Sequence, residues 1–350
     1  MYLTADSRIA LLMHEGTQSN MGKTGLSMLR YSSSPIVAVV DYQTAGRSLQ
    51  ELTGIPKAIP VVESVAAALA YHPTVLAIGI APSGGKLPDP WFQELEQAVQ
   101  SGLSLVNGLH TPLAQHPALA PHLGPNQWIW DVRQEPPGLT VGTGQASQLP
   151  CQRVLAVGTD MAVGKMSTIL ELNRAAQGRG LKSKVIATGQ TNLMLGDDGV
   201  ALDAVRVDYA SGAVESAVLR YGHDYDYLFI EGQGSLLNPA STATLPLLRG
   251  SQPTHLILCH RAGQTHIANC PHVPIPPLPQ VVDLYEQVSR AGGAFAGSKV
   301  VAIALNTGHL SQAEAAQALQ EAQTATGLPC TDPFRHGVDL LLNAILAYPI

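Results

Sequence analysis

The chain has few aromatic residues, little charge and little cysteine, and these scarcities exclude several classes of protein. Aromatic residues make up 5% of the 350 residues and charged residues 13%, with a net charge of −6. Without a basic block, nucleic acid is not an expected partner. No apolar run approaches the length of a membrane span, and no signal-peptide pattern opens the chain. We therefore expect neither membrane association nor export.

Four widely spaced cysteines predict a reducing compartment. Cys151, Cys259, Cys270 and Cys330 are too few for a disulfide framework, so we expect a cytoplasmic protein. Glycine, by contrast, is plentiful at 33 residues, and apolar residues reach 45%, a composition that fits close-packed α/β layers. A chain of this length can form two domains. Its high apolar content and modest charge favour a homo-oligomer.

The first half of the chain alternates strand patterns with helical patterns, which predicts an α/β fold. Strands buried on both faces and separated by helices form a parallel, doubly wound sheet, and ligands bind beyond the carboxyl ends of its strands. A turn-rich linker covers residues 135–148, so the predicted domains are 1–149 and 150–350. The strands are predicted at residues 9–14, 36–41, 75–80, 104–106 and 127–132, and the helices at 24–30, 63–71 and 90–100.

The second half begins with a phosphate-binding pattern. An apolar run stops at Gly158, a loop follows, and Gly164 and Lys165 precede a helical pattern. This order of elements is the context of a P-loop, or Walker A motif. The loop N–H groups and the helix N-terminus attract an anion, and the lysine adds a mobile cation. The predicted nucleotide-binding residues are Gly158, Thr159, Asp160, Val163, Gly164, Lys165, Met166, Ser167 and Thr168.

The motif departs from the common P-loop in two ways. Five residues separate Gly158 from Gly164, one more than the standard spacing. Met166 stands where a Ser or Thr normally offers its hydroxyl to Mg²⁺, and Ser167 follows, where many P-loops place a hydroxyl on the α-phosphate. A P-loop without the first hydroxyl can still hold phosphate through its N–H groups and Lys165.

Two later strand ends supply candidate general bases. Residues 225–230 form a predicted strand that ends at Glu231. This is the Walker-B arrangement, which places a carboxylate beside the phosphate for a metal, a water or a substrate proton. Residues 255–259 form another predicted strand, with His260 and Arg261 just past its end. Glu231 and His260 are the candidate catalytic residues, although a turn-capping glutamate and a solvent-capping histidine are the structural alternatives.

Two segments of the first half also contain a lysine after glycines. Residues 16–24 have the spacing of the later P-loop and include Lys23 and Thr24, but the predicted helix that follows is short. A second phosphate site and a structural turn are both open there. Residues 81–86, which end in Lys86, fit an anion-binding nest or a tight turn equally well.

A cluster of cysteine and histidine in the second half raises the question of a metal. The spacing of these residues matches no compact zinc pattern, and residues 271–277 are predicted to form a rigid, proline-rich loop. We predict no metal site. The residues concerned are Cys259, His260, His266, Cys270 and His272.

Two families resemble this sequence. The segment from Gly158 to Lys165 and the sequence Glu231-Gly232-Gln233-Gly234 resemble dethiobiotin synthetase and its P-loop relatives, which use ATP to activate a carboxylate or carbamate. A closer resemblance covers nearly the whole chain and is to a two-domain family long labelled as of unknown function. It is carried by Arg30-Tyr31, Ala81-Pro82, Gly84-Gly85, Asn107-Gly108-Leu109-His110, residues 158–168, Thr188-Gly189-Gln190-Thr191, Asp203-Ala204-Val205, Asp208-Tyr209, Gly212-Ala213-Val214-Glu215 and residues 230–235.

One branch of that family is described as D-glutamate N-acetyltransferase, which moves an acetyl group from acetyl-CoA to the amine of D-glutamate. The resemblance implies a Rossmann-like N-terminal domain followed by a P-loop NTPase-like α/β domain. It also implies a transferase with acetyl-CoA as co-substrate. The presence of Met166 agrees with this implication. The P-loop has to hold the phosphates of the ADP moiety of coenzyme A, but these phosphates are not hydrolysed and need no Mg²⁺-binding hydroxyl. On this hypothesis Lys23, Lys86 or Arg261 pairs with the carboxylates of the substrate.

Two other functions remain open from the sequence. One is an ATP- or GTP-dependent ligase or kinase, in which Asp160, Glu231 or an acidic residue between 197 and 208 replaces the missing hydroxyl at Mg²⁺. The other is a non-catalytic nucleotide sensor, which would bind through Lys165 without turnover. The sequence names neither the acceptor nor its handedness.

Overall fold

The computed structural model describes residues 3–81 and 87–348. It divides the chain into two compact units. The first unit comprises residues 1–134 and 190–197, and the second comprises residues 135–189 and 198–350. Each unit is built on a parallel sheet, so the predicted α/β class is confirmed.

The sheet of the first unit has six strands in the order β3-β2-β1-β4-β5-β6. Every neighbouring pair is parallel. This is the strand order of the dinucleotide-binding Rossmann fold, whose ligand crevice lies where the order reverses, between β1 and β4. The strands are β1 (Ile9–Leu12), β2 (Ile36–Val40), β3 (Val61–Val62), β4 (Val75–Ile78), β5 (Ser104–Asn107) and β6 (Ile129–Asp131).

The helices of the first unit bury one apolar face each. Met28 and Leu29 of the first helix, and Trp91 and Leu95 of the fourth, are buried against the sheet clusters, as expected for amphipathic helices. The helix predicted over residues 63–71 is split, because its last three residues form a 3₁₀ turn. The helices are α1 (Lys23–Tyr31), α2 (Leu49–Thr53), α3 (Val65–Ala68) and α4 (Asp89–Gln100).

The sheet of the second unit also has six parallel strands, in the order β14-β13-β10-β7-β9-β8. Alternate residues of the central strand β7 belong to different apolar clusters. Leu155 and Val157 face one cluster, and Val154 and Ala156 the other, so the sheet is covered on both faces. The strands are β7 (Gln152–Gly158), β8 (Ser183–Ile186), β9 (Tyr227–Ile230), β10 (His255–Arg261), β11 (His266–Ile267), β12 (Cys270–Pro274), β13 (Lys299–Asn306) and β14 (Cys330–Thr331).

The remaining helices follow these strands along the chain. One of them, α6, belongs to the first unit, where Thr191 Oγ1 lies 3.1 Å from Thr24 Oγ1 and Met194 is buried in the core. The helix over residues 312–326 begins with a capping box between Ser311 and Glu314. The helices are α5 (Lys165–Gly178), α6 (Gln190–Met194), α7 (Ala210–Tyr221), α8 (Thr244–Ser251), α9 (Leu278–Arg290), α10 (Gln312–Thr326) and α11 (Asp339–Ala347).

Two predictions about local structure were wrong. His260 and Arg261 do not lie past the end of their strand, because β10 continues to Arg261 while it pairs with the long strand β13. Residues 271–274, predicted as part of a rigid loop over residues 271–277, belong instead to strand β12, which pairs antiparallel with β11. In both cases the partner strand, which local sequence does not reveal, extends the ladder.

Two further observations bear on the class of protein. All four cysteines are free, and three of them, Cys151, Cys259 and Cys330, are buried. Within residues 3–81 and 87–348, no helix combines the length and the apolar character needed to cross a bilayer.

Candidate functional site: the P-loop and its surroundings

The predicted P-loop has the expected local structure. Strand β7 ends at Gly158, α5 begins at Lys165, and residues 159–164 connect them. Gly164 has φ +114°, a left-handed conformation that only glycine adopts readily. Ala162 also has a positive φ, +57°. The longer spacing is therefore accompanied by a second left-handed residue, and the strand–loop–helix prediction is confirmed.

Most N–H groups of the loop are available for a ligand. Thr159 N donates to Cys259 O at 3.1 Å, and Met161 N donates to Asp160 Oδ1 at 2.6 Å. In the part of the chain that the structure describes, the N–H groups of residues 162–167 have no acceptor. A run of such groups at the start of a 14-residue helix is an anion-binding arrangement.

The Lys165 side chain lies inside this arrangement. It is only 6% exposed, and its Nζ donates to Asp160 O at 2.7 Å. Burial lowers the pKa of Lys165 to about 8, although the nearby Cys259, Asp160 and Glu231 raise it. The ammonium is therefore still largely charged at neutral pH, and a bound anion would favour the charged form.

Asp160 braces the loop with its carboxylate. Oδ1 accepts from Met161 N and from Asn238 Nδ2, at 2.6 and 2.8 Å. Oδ2 accepts from Gln264 Nε2 and Ala268 N, at 2.7 and 2.8 Å. Burial raises the pKa of Asp160, but these four hydrogen bonds outweigh it, so the pKa is lowered overall. The Asp160 carboxylate is therefore ionised, and its hydrogen bonds fix the conformation of the loop.

His260 contacts the P-loop from the neighbouring strand β10. Its Nδ1 lies 2.8 Å from Thr159 Oγ1, and its side chain is 8% exposed. Burial lowers the pKa of His260 to about 4, so the ring is neutral at neutral pH and is a weak base. The adjacent Cys259 is fully buried, and burial raises its pKa to about 11. This thiol is protonated and its Sγ lies 3.8 Å from Thr168 Oγ1.

Glu231 lies at the end of β9, as predicted for a Walker-B-like position. Its Oε2 accepts from the N–H groups of Thr188 and Gly189, both at 2.9 Å, and its side chain is buried. The next residue, Gly232, packs tightly: a Cβ built there would collide with Ala156 O and come within 2.9 Å of Lys165 Cδ. Glycine at this position therefore lets the end of β9 lie against β7 and the lysine.

Several residues around the P-loop could not be found from motifs. Tyr285 in α9 is fully buried, and its hydroxyl donates to Gly158 O at 2.7 Å and accepts from Leu236 N at 3.2 Å. Asn238 and Gln264, which hold Asp160, lie 78 and 104 residues from it in the chain. Each is a single polar residue without a surrounding pattern, so the sequence carries no signal for it.

The predicted substrate-binding cations stay predictions. Lys23 begins α1 in the first unit and is exposed. Arg261 is the exposed last residue of β10 in the second unit. Lys86 lies outside the described residues, as does most of the predicted nest at residues 81–86.

The first P-loop-like sequence forms a closed turn. Gly16 N donates to Met13 O, Ser19 N to Gly16 O, and Gly22 N to Ser19 O. Met21 N donates to Ser19 Oγ. Because the loop satisfies these N–H groups itself, it lacks the open run seen at residues 162–167, which favours the interpretation as a structural turn.

A cavity of about 540 Å³ lies elsewhere in the first unit. Two aromatic rings flank its buried His14, with centroids 5.0 Å (Tyr42) and 5.5 Å (Trp91) from the imidazole. Glu94 Oε1 lies 3.6 Å from His14 Nε2. Sequence reasoning missed this cavity, because its walls come from the ends of separate strands and from α4.

Among the described residues, no group of three or more His, Cys, Asp and Glu side chains is arranged to hold a metal ion. The five residues considered for a metal lie on three strands: Cys259 and His260 in β10, His266 in β11, and Cys270 and His272 in β12. His266 and His272 there are exposed.

Comparison with known proteins agrees with this architecture. Family models match residues 42–135, described as a Rossmann-like domain of unknown function (DUF1611_N), and residues 140–342, described as a P-loop domain of unknown function (DUF1611_C). A crystal structure of a DUF1611 family protein from Anabaena variabilis is similar, with a TM-score of 0.96 and 62% identity. The match covers 98% of this chain and 100% of that one.

Two curated relatives carry a functional name. The chain is 39% identical over 275 residues to a protein of Tritonibacter scottomollicae named D-glutamate N-acetyltransferase, covering 78% of this chain and 81% of the relative. It is 34% identical over 267 residues to a protein of the same name from a Pseudoalteromonas species, covering 76% and 79%. The resemblance predicted from the motifs is confirmed: this chain belongs to the DUF1611 family, with a Rossmann-like N-terminal domain and a P-loop C-terminal domain.

Proposed function

We propose that this protein is an N-acetyltransferase that moves the acetyl group of acetyl-CoA to the amine of D-glutamate or a similar amino acid. The names of the two curated relatives support this activity. The structural observation that carries the proposal is a P-loop with open N–H groups at residues 162–167 and a buried lysine, in which Met166 replaces the hydroxyl that binds Mg²⁺.

The residues of the loop favour binding of phosphate without phosphoryl transfer. Phosphoryl transfer needs Mg²⁺ beside the β- and γ-phosphates, and Met166 has no oxygen to hold it. Asp160 already accepts four hydrogen bonds, and one oxygen of Glu231 accepts two. We infer that the diphosphate of coenzyme A lies on the N–H groups of residues 162–167, with Lys165 turned from Asp160 O to a phosphate oxygen.

The reaction then needs a base and a nucleophile. The ammonium of the amino acid loses a proton, and its nitrogen attacks the thioester carbonyl carbon. A C–N bond forms, the C–S bond breaks, and the coenzyme A thiolate leaves and takes up a proton. We assign the role of general base to Glu231, whose carboxylate is close enough to Lys165 to raise the pKa of that lysine. The neutral His260 would instead position Thr159 in the loop.

A binding experiment tests the nucleotide grip. Thermal shifts with acetyl-CoA, CoA, ATP and GTP should show stabilisation of the wild type by the first two. Lys165→Ala should greatly reduce this stabilisation. Lys182→Ala, which removes an exposed lysine of the same unit, should retain it.

A turnover experiment tests the reaction. Release of the coenzyme A thiol from acetyl-CoA should require an amino acid, and D-glutamate and L-glutamate are compared as acceptors. Steady phosphate release from ATP and Mg²⁺, without acetyl-CoA-dependent thiol release, would support the ligase or kinase instead. Nucleotide binding without turnover of either kind would support the sensor.

We also propose a cellular compartment and an oligomeric state for this protein. We propose a cytoplasmic enzyme, since its four cysteines are free. We propose a homo-oligomer, because large apolar side chains such as Val207 (77%), Val141 (56%) and Phe334 (53%) are exposed. Light scattering on the purified protein tests the second point.

A further inference from the structure

A cavity of about 350 Å³ lies at the amino ends of three adjacent strands of the second unit. Arg153 is the second residue of β7, Thr254 directly precedes β10, and Ser298 and Lys299 stand at the start of β13. The P-loop follows the carboxyl end of β7. The cavity therefore belongs to the opposite edge of the same sheet, and neither the motifs nor the proposed reaction uses it.

The main charge in this cavity wall is buried and has no acidic partner among the residues that the structure describes. Arg153 is 5% exposed. Its Nε donates to Gln252 O, and its Nη1 donates to Leu149 O and Cys151 O. All three acceptors are carbonyl oxygens, which carry no net charge. Over residues 3–81 and 87–348, no carboxylate forms an ion pair with Arg153, and Nη2 has no acceptor.

A buried guanidinium without a counter-charge is unfavourable, and burial indeed lowers the pKa of Arg153. Proteins normally pair such a charge with an anion. The geometry of guanidinium groups, with paired N–H donors, suits carboxylate and phosphate oxygens.

A hydroxyl in the wall also lacks a partner among the described residues. Ser298 is 5% exposed, and its Oγ is a buried oxygen without a hydrogen bond in the described structure. Two more cations line the cavity. Arg290, at the end of α9, is exposed, whereas Lys299 is paired with Glu286 at 2.5 Å. Ser147 and Thr254 also line the cavity, but their hydroxyls already donate to Gly144 O and Arg153 O, so the cations and Ser298 are the groups that it offers to an anion.

We propose that this cavity is a binding site for a small oxyanion, either a phosphate group or a carboxylate, held by Arg153, Arg290 and Ser298. Such an anion supplies the missing acceptors of Arg153 Nη2 and Ser298 Oγ together. The site is independent of which nucleotide the P-loop binds.

The test is calorimetric titration of inorganic phosphate, and separately of glutarate, into a protein whose P-loop is disabled by Lys165→Ala. In that background we compare Arg290→Gln with Arg174→Gln. Both variants remove one exposed arginine of the second unit, but Arg174 lies on α5 and does not line the cavity. We expect Arg290→Gln to weaken binding about tenfold, since a charge-assisted hydrogen bond is lost, and Arg174→Gln to bind as the background does.

Comparison of the two titrations decides whether the site binds a phosphate group or a carboxylate. Saturable binding of phosphate alone indicates a phosphate ester, and binding of glutarate indicates a carboxylate. Ser298→Ala, which removes only a hydroxyl, should weaken the binding of the favoured probe without loss of fold, as checked by circular dichroism. The proposal is overturned if neither probe binds, or if Arg290→Gln binds as tightly as Arg174→Gln.

Discussion

Lys165 Nζ donates a hydrogen bond to the main-chain carbonyl of Asp160, at 2.7 Å, and so folds back across its own loop. The bond shields an ammonium that is almost fully buried. A carbonyl supplies only a dipole, whereas a phosphate supplies a charge. A phosphate that enters the open N–H groups of residues 162–167 should therefore displace the carbonyl and capture the lysine.

The lowered pKa of Lys165 predicts a pH dependence of ligand binding. The pKa is about 8, so the ammonium is charged below that pH and increasingly neutral above it. We expect the affinity for acetyl-CoA to fall as the pH rises from 7 to 9.5, because the phosphates lose their cationic partner. Titrations at several pH values measure this. In Lys165→Ala the residual affinity should not vary over the same range, and an equal slope in both proteins would contradict the prediction.

Position 166 tests whether the P-loop binds phosphate without a metal or together with Mg²⁺. Met166→Ser restores the hydroxyl that common P-loops offer to Mg²⁺. We expect ATP to bind this variant more tightly when Mg²⁺ is present, while acetyl-CoA binding changes less than about threefold, an energy below 1 kcal/mol. Isothermal titration with and without Mg²⁺ measures both effects. Mg²⁺-dependent ATP binding by the wild type would refute this account of Met166.

Gly232 should tolerate no side chain. A Cβ at this position collides with Ala156 O and crowds Lys165 Cδ, so Gly232→Ala should lower the free energy of unfolding by about 3 kcal/mol or more. Gly178→Ala is the matched control, because a Cβ there meets nothing within 4 Å. Since Gly178 is the last residue of α5, its replacement should cost nothing or stabilise by about 0.5 kcal/mol. Urea unfolding compares the two; similar losses would contradict the packing argument.

Local sequence patterns predicted most strands and helices, but they could not tell which of two similar loops is open for an anion. Residues 16–24 and residues 158–168 have the same glycine–lysine spacing. The first loop provides acceptors for several of its own N–H groups, whereas the second leaves the continuous run at residues 162–167 open. The difference depends on contacts distant in sequence. Tyr285 holds Gly158 O, and Asn238 and Gln264 hold Asp160. Single polar residues of this kind have no periodicity, so only the folded sheet brings them to the loop.

The same limit explains the error at His260. The sequence placed it beyond a strand, where a histidine is solvated and titrates near its ordinary pKa. Pairing with β13 carries β10 further, and the imidazole becomes buried. We therefore assign His260 the role of a neutral partner of Thr159 and not that of a base.

His260 should make the protein sensitive to mild acid. Its pKa is about 4 in the folded protein and about 6.5 when unfolded. Below pH 6.5 the unfolded chain binds a proton that the folded protein resists, so the free energy of unfolding falls as the pH drops from 6.5 to 4. The expected loss is about 3 kcal/mol. In His260→Asn, which cannot titrate, this part of the loss should disappear, whereas His223→Asn, at an exposed histidine of the same unit, should behave as the wild type. Urea unfolding at pH 7, 5.5 and 4.5 measures the three proteins, and an unchanged acid loss in His260→Asn would mean that the buried imidazole does not resist protonation.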